Sequence, residues 1–146
     1  MITPYLLFEG NCSEALAFYQ QVFDCQPAMV MPYSDYVPEG AAAPPADLPG
    51  WVLHAEMSIL GTNFWFADEV GEVPPGRKVR LTATVPTRDK AQTLFDRLKE
   101  GAEITLPPVV TFYSAFHAAL TDRFGVMWDI VAEQAPPEDA QLDFAG

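Results

Sequence analysis

The sequence has few basic residues, and those it has are confined to one stretch. Of 146 residues, eight are Lys or Arg and twenty are Asp or Glu, which gives a formal net charge of −12. All eight basic residues lie between Arg77 and Arg123. Because binding to nucleic-acid phosphates requires clustered Lys and Arg, the composition predicts no nucleic-acid partner.

Long apolar runs and cysteine pairs are also lacking. No apolar run approaches the roughly 18–20 residues that cross a bilayer, and the N-terminus lacks a basic signal-peptide region. We therefore expect a cytoplasmic protein with no membrane partner. Cys12 and Cys25 flank a predicted helix that separates their Cα atoms by roughly 16–20 Å. Since a disulfide tolerates only about 7 Å, both are predicted to be free thiols.

The residues that are abundant indicate a packed α+β domain. Hydrophobic residues make up 49% of the chain and aromatic residues 12%, enough for a core at this chain length. Apolar periodicity and turn residues predict two helices, one between Asn11 and Pro27 and one from Thr87 to Lys99. They also predict strands at 4–8, 28–32, 51–60, 63–68, 79–85, 103–106, 109–120 and 126–131.

This order of elements is a tandem repeat. The apolar positions of the first helix recur 76 residues later in the second; they are Ala15, Phe18, Tyr19 and Val22, then Ala91, Leu94, Phe95 and Leu98. We predict a single domain at 1–133, with one βαβββ module at 1–70 and another at 77–133. The proline-rich segment 33–50 is predicted to be a long loop, and 134–146 a flexible acidic tail.

Three strings connect this repeat to a known family. They are Pro4 to Tyr19 (PYLLFEGNCSEALAFY), the His54-Ala55-Glu56 strand followed by Gly61 and Asp68, and Leu120 to Trp128 (LTDRFGVMW). The chain resembles the PhnB-like subgroup of the vicinal oxygen chelate superfamily, which includes glyoxalase I, bleomycin-resistance proteins and extradiol dioxygenases. The resemblance implies curved mixed sheets, an internal cavity and a homodimer. It does not specify a reaction, because the fold hosts several.

The metal positions that this resemblance implies are poorly filled. Metal-using members place a His on the first strand of a module and a Glu on its last. Counted from the helices, the first-strand positions here are Pro4 and Arg80, neither of which can bind a divalent cation. Only Asp129, which follows Gly125, stands at a suitable spacing. The sequence therefore predicts no metal and no other cofactor.

Strand alternation predicts which side chains face the cavity. We expect one set under the helices, namely Tyr5, Leu7, Leu81, Ala83 and Val85, and the other facing the cavity, namely Pro4, Leu6, Arg80, Thr82 and Thr84. A buried arginine requires a carboxylate. The resemblance implies that the first and last strands of a module are neighbours, so Asp129 is the natural partner. We predict a buried pair within about 4 Å. The pair either replaces the lost metal structurally or holds Arg80 in place for an anionic ligand.

His54, Glu56 and His117 complete the predicted ligand-binding set. His54 and Glu56 alternate on one strand face, and His117 lies on the corresponding strand of the second module. They can form a non-standard metal triad, a general base with its carboxylate, or a hydrogen-bonded cavity lining, and the last is preferred. The aromatic residues, Tyr113 among them, are assigned mostly to the core, with a few around an apolar pocket.

The leading functional hypothesis is a metal-independent small-molecule-binding protein with an unknown ligand. The alternatives are a metal-dependent lyase, isomerase or dioxygenase of the same superfamily, and a drug-sequestering resistance protein. No catalytic residue can be assigned. The sequence has no Ser-His-Asp order, phosphate-binding glycine loop or Cys-x-x-Cys pair. It also lacks the glycine-rich first turn and acidic ribose partner of a Rossmann-type methyl-donor site, so we expect no S-adenosylmethionine binding.

Overall fold

The computed structural model describes residues 1–35 and 50–138. It contains ten elements, which confirm the βαβββ order in each half: β1 (Tyr5–Phe8), α1 (Cys12–Phe23), β2 (Pro27–Pro32), β3 (Val52–Ile59), β4 (Thr62–Asp68), β5 (Leu81–Val85), α2 (Arg88–Leu98), β6 (Glu103–Val109), β7 (His117–Thr121) and β8 (Met127–Ala132). Most of the predicted 33–50 loop and the end of the predicted tail lie outside the described residues. No helix in the described ranges is long and apolar enough to cross a membrane.

The chain divides into two compact units, Met1–Pro74 and Pro75–Gly146. In the first unit the sheet order is β1-β4-β3-β2, with β1 parallel to β4 and the other pairs antiparallel. Helix α1 packs on β3 and β4. Its apolar stripe and the facing strand residues form the core of this unit, which includes Ala15, Tyr19, Val22, Ala55, Met57 and Phe66.

The second unit repeats this topology. Its sheet order is β5-β8-β7-β6, with β5 parallel to β8. Helix α2 packs on β8 and β5 and buries the four predicted apolar positions of its stripe. Thr87 begins the helix as predicted, since its side chain accepts a hydrogen bond from the Lys90 amide at 3.2 Å. Thr82 pairs with Asp129, so the predicted neighbourhood of the first and last strands is confirmed.

The predicted alternation of β1 is wrong by one residue. Leu6 pairs with the fully buried Phe66, and Phe8 is buried, whereas Tyr5 is 45% exposed and Leu7 39% exposed. Tyr5 and Leu7 therefore lie on the sheet face away from the helix. The alternation predicted for β5 is confirmed, because Ala83 and Val85 are buried while Thr82 and Thr84 are exposed.

A difference in turn length explains the error. Three residues separate Phe8 from Cys12, but only two separate Val85 from Arg88. A prediction that places both strands at the same distance from their helices therefore assigns the β1 side chains to the wrong faces. Arg80 immediately precedes β5, which begins two residues later than predicted.

A buried carboxylate forms the extra turn at the start of α1. Asn11 is at the N-cap, but its side chain makes no capping hydrogen bond. Asp68, at the end of β4, instead accepts hydrogen bonds at Oδ1 from the amides of Gly10 (2.8 Å) and Cys12 (3.0 Å). Its Oδ2 accepts from the amide of Val52 at 2.9 Å. Asp68 thus fixes the β1–α1 turn against the ends of β3 and β4.

The strands predicted at 103–106 and 109–120 have different bounds in the structure. β6 ends at Val109 and β7 begins at His117. Between them the Thr111 amide donates to the Ser114 carbonyl at 3.0 Å, which closes a turn. The buried Ser114 hydroxyl donates to the Ala132 carbonyl at 2.6 Å. These bonds hold the segment out of the sheet and place Tyr113 near the first residue of β7.

Candidate functional site

Four side chains of the second unit form a connected polar cluster, the Asp129 cluster: Arg80, Tyr113, His117 and Asp129. Arg80 Nη2 lies 3.3 Å from Asp129 Oδ2, and His117 Nε2 lies 3.4 Å from the same oxygen. The other imidazole nitrogen, Nδ1, is hydrogen-bonded to the Tyr113 hydroxyl. Tyr113 and His117 are four residues apart, whereas Arg80 and Asp129 come from distant parts of the sequence, so the fold assembles the cluster.

The hydrogen bonds define the orientation of the imidazole. The Asp129 carboxylate is an acceptor, so His117 Nε2 carries the hydrogen that faces it. In that tautomer Nδ1 has a free lone pair and accepts from the Tyr113 hydroxyl. The chain of donors therefore runs from Tyr113 through His117 to Asp129.

Burial differs sharply along this cluster. Asp129 is 8% exposed and His117 6%, whereas the Arg80 side chain is 55% exposed and Tyr113 44%. The predicted distance between Arg80 and Asp129 is confirmed, but the prediction of a buried guanidinium is wrong. Arg80 precedes the first residue of β5, so its guanidinium reaches the Asp129 carboxylate from beyond the end of that strand.

One oxygen of Asp129 has no hydrogen-bond partner. Oδ1 is buried, and no donor in the described ranges 1–35 and 50–138 reaches it. A buried acceptor without a donor loses its hydration with no compensation, and that loss destabilises the protein by about 1–3 kcal/mol. Asp129 therefore combines an oxygen with two partners, Oδ2, with a buried oxygen that no donor in the described residues satisfies.

His54 and Glu56 belong to a second cluster, in the first unit, with Tyr5 and Trp65. The Tyr5 hydroxyl lies 3.4 Å from His54 Nδ1, and His54 Nε2 lies 3.6 Å from Glu56 Oε2. Glu56 Oε1 accepts from Asn63 Nδ2 at 2.9 Å and from Trp65 Nε1 at 3.0 Å. Donation from Asn63 is the main cause that lowers the pKa of Glu56, with Trp65 and His54 contributing. This carboxylate is fully engaged within its own unit.

The structure thus sorts the predicted site residues into two groups. Arg80, His117 and Asp129 meet in the second unit, and His54 and Glu56 meet in the first. Both groups contain a tyrosine whose hydroxyl meets Nδ1 of the histidine. Sequence reasoning missed both tyrosines: Tyr5 because of the β1 register error, and Tyr113 because its turn interrupts a predicted strand.

The donor sets do not fit the divalent metal that the resemblance implies. In the described part of the chain no three His, Cys, Asp or Glu side chains are grouped so that they could hold a metal ion. Asp129 and His117 are the two candidate metal ligands of this type in the Asp129 cluster, and the Arg80 guanidinium already lies on the Asp129 oxygen that faces His117. A guanidinium cannot ligate a cation and repels one.

Neither cysteine has the character of a nucleophile. Both are free thiols, as predicted. Burial, together with the negative charge of Asp68, raises the pKa of the Cys12 thiol far above its ordinary value. Burial also raises the pKa of Cys25, with Asp24 contributing. Because the thiolate is the reactive form, the raised pKa makes both thiols less reactive at neutral pH than an ordinary cysteine.

Comparisons with known proteins place this geometry in a family. The family model described as 3-demethylubiquinone-9 3-methyltransferase matches residues 1–131. Protein YjdN of Escherichia coli K12 is 27% identical over 153 residues, which cover 94% of this chain and 99% of YjdN.

Solved structures agree with this assignment. Protein PA1353 from Pseudomonas aeruginosa is 29% identical with a TM-score of 0.80, covering 92% of this chain and 98% of its own. A PhnB protein from Bacillus cereus is 26% identical with a TM-score of 0.73, covering 90% and 98%. A glyoxalase/bleomycin resistance/dioxygenase domain from Frankia sp. EAN1pec, 14% identical, shares the fold with a TM-score of 0.63 over 92% and 97%. The chain therefore belongs to the PhnB-like family described as 3-demethylubiquinone-9 3-methyltransferase, within the glyoxalase/bleomycin resistance fold.

Proposed function

We propose that the protein binds a small organic molecule at the Asp129 cluster and does so without a divalent metal. The observation that carries the proposal is the buried Oδ1 of Asp129, which no donor in the described residues satisfies. A ligand that donates a hydrogen bond there removes the penalty of the unpaired acceptor. Buried polar atoms in folded proteins nearly always have a hydrogen-bond partner, so the unpaired Oδ1 favours a ligand-binding role.

The chemistry of the cluster defines the ligand class. Oδ1 requires a donor, which an ammonium, hydroxyl or amide group supplies. The Arg80 guanidinium is half exposed and has five N–H donors, only part of which Asp129 can occupy. A carboxylate or phosphate binds well to the rest. The preferred ligand is therefore a small amino or hydroxy acid, or a corresponding phosphate ester, with both groups within reach.

Thermal unfolding with and without ligand tests this proposal. Millimolar serine, lactate, glycolate and phosphoethanolamine each present a donor and an anion. At a ligand concentration of 100 Kd, binding stabilises the native state by about 2.7 kcal/mol, which raises the Tm of a domain this size by several degrees. We expect at least one of these compounds to raise the Tm of the native protein.

The control variants separate the site from general charge effects. Arg80→Met should abolish the rise in Tm, whereas Arg77→Met, which removes the same charge from the exposed connector before β5, should preserve it. A rise that survives in Arg80→Met contradicts binding at this cluster. Failure of all four compounds to raise the Tm of the native protein contradicts the ligand class.

A metal-dependent lyase, isomerase or dioxygenase is the rival function. Two observations favour the metal-independent alternative. The Arg80 guanidinium lies on Asp129, and no three candidate metal ligands are grouped together in the described residues. A drug-sequestering protein would use the same fold, but it would require an apolar ligand surface rather than an unpaired buried carboxylate oxygen.

We further propose that the protein is a cytoplasmic homodimer. The resemblance implies the dimer. Two free thiols are consistent with a reducing compartment. Sedimentation velocity at micromolar concentration tests the assembly, and a monomer there would refute it.

A further inference from the structure

We propose that Tyr113, His117 and Asp129 form a proton relay in which Tyr113 is the group that exchanges a proton with the bound molecule. This gives the protein metal-free acid–base catalysis as a further activity. The proposal rests on the proposed binding site for its substrate, but its test requires no substrate.

The direction of the hydrogen bonds carries the first step of the argument. The Tyr113 hydroxyl is hydrogen-bonded to His117 Nδ1, and His117 Nε2 lies 3.4 Å from Asp129 Oδ2. In the neutral imidazole with its hydrogen on Nε2, the hydroxyl donates to Nδ1. An imidazole with a free lone pair on one side and a carboxylate on the other is the arrangement of a general base with its orienting acid. The phenol of Tyr113 occupies the place of the nucleophile, next to the base His117.

Burial places the reactive end of the relay at the surface. His117 and Asp129 are buried, whereas Tyr113 is 44% exposed. A small molecule can therefore reach the Tyr113 side chain, while the base behind it is shielded from water. Shielding strengthens the electrostatic coupling between the imidazole and the carboxylate.

Tyr113 is also held in place by its flanking residues. The turn closed between Thr111 and Ser114, and the buried Ser114 hydroxyl, fix one side of it. The Ala115 amide donates to the Gln134 carbonyl at 2.8 Å, which attaches the segment beyond β8. A fixed hydroxyl needs little reorganisation before proton transfer.

The proton transfer balances without a co-reactant. The phenol O–H bond breaks and its proton passes to His117 Nδ1, while the Tyr113 oxygen takes a proton from an acidic C–H or O–H group of the ligand. The ligand keeps the electron pair as a carbanion or alkoxide. The resulting His117 imidazolium lies next to the Asp129 carboxylate, which stabilises it. An anionic group of the ligand, bound to Arg80, offsets the positive charge of the guanidinium.

The first unit provides an internal control. Tyr5 has a similar exposure, 45%, and its hydroxyl also meets a histidine Nδ1, at 3.4 Å. Burial and the nearby Glu69 charge raise the pKa of Tyr5. Glu56, the carboxylate beyond His54, already accepts from Asn63 and Trp65. Tyr5 should therefore react no faster than an ordinary tyrosine.

Sulfonylation by phenylmethanesulfonyl fluoride tests the relay on the intact protein. The phenol oxygen attacks sulfur and fluoride leaves, so an activated tyrosine reacts faster, and peptide mass spectrometry gives the rate at each tyrosine. We expect Tyr113 to react at least about tenfold faster than Tyr5, since an aligned general base contributes factors of 10² or more. His117→Gln should remove this advantage, and His54→Gln should leave it unchanged.

Two results would overturn the proposal. One is equal labelling of Tyr113 and Tyr5 in the native protein, and the other is fast labelling of Tyr113 that persists in His117→Gln. If His117→Gln does not fold, long-range ¹H–¹⁵N spectra of the native protein decide the matter, because the relay requires His117 with hydrogen on Nε2 and a bare Nδ1. Hydrogen on Nδ1 would contradict it. Loss of the Tm rise in Arg80→Met concerns binding alone, so the two proposals can fail separately.

Discussion

Arg80 Nη2 lies 3.3 Å from Asp129 Oδ2, but the Arg80 side chain is 55% exposed and that of Asp129 only 11%. The pair is therefore a buried carboxylate met by a solvated cation. Water and salt screen the guanidinium, which weakens the attraction relative to a fully buried pair. The same exposure leaves the outer donors of Arg80 free for an anion.

This asymmetry predicts small effects on stability. We expect Arg80→Met to lower the free energy of unfolding by less than about 1 kcal/mol, because pairs with an exposed partner contribute little. Asp129→Asn should lower it by about 1–2 kcal/mol, because it also weakens the bond from buried His117. Urea unfolding of both single variants and the double variant measures the coupling. A loss of about 3–5 kcal/mol in Asp129→Asn would indicate a fully buried pair instead.

Asp68 should be far more important for stability than Asn11. Asp68→Ala leaves the amides of Gly10, Cys12 and Val52 without their acceptor. We expect the free energy of unfolding to fall by about 3–5 kcal/mol, because each buried donor left unsatisfied costs about 1–3 kcal/mol. Asn11→Ala removes a side chain that makes no capping bond and should change the free energy of unfolding by less than about 0.5 kcal/mol.

Thr87→Ala serves as the reference for these helix starts. The Thr87 side chain caps the Lys90 amide, so Thr87→Ala should lower the free energy of unfolding by about 1 kcal/mol. Chemical denaturation of the three variants checks the order. An Asn11→Ala loss as large as that of Thr87→Ala would show that Asn11 caps α1 in solution.

Glu56 should titrate below its ordinary pKa of 4.5, because hydrogen bonds from Asn63, Trp65 and His54 stabilise its charged form. Its contribution to folding is then present above pH 4.5 and is lost as the pH falls through the lowered pKa. Asn63→Ser should move the carboxyl ¹³C titration of Glu56 upward. Asp96, whose pKa is lowered mainly by Lys99, should not respond, and an unchanged Glu56 would contradict the role of Asn63.

The family description names a methyltransferase, but we predict no binding of S-adenosylmethionine. The turn after β1 is Glu9-Gly10-Asn11, and its Gly10 and Cys12 amides are used by Asp68 rather than offered to a ligand. Isothermal titration calorimetry of the purified protein should show no heat of binding. Micromolar affinity would prove the prediction wrong.

The repeat and the helices could be predicted, because apolar spacing and capping residues are local signals, and the pairing of β5 with β8 was implied by the family resemblance. The distance between Arg80 and Asp129 followed from that pairing. The sheet face on which Tyr5 lies could not be predicted, because it depends on one extra residue in the turn that Asp68 organises. Sequence alone could not place Tyr113 beside His117, since buried Ser114 and its bond to Ala132 create that turn.

Elemental analysis tests the central claim of metal-independent binding most directly. Protein purified without a tag or chelator should contain well below one divalent ion per chain, since in the described residues Asp129 and His117 lack further ligands and Arg80 lies on their shared oxygen. Stoichiometric Zn, Ni, Mn or Fe that is lost in Asp129→Ala would contradict the claim.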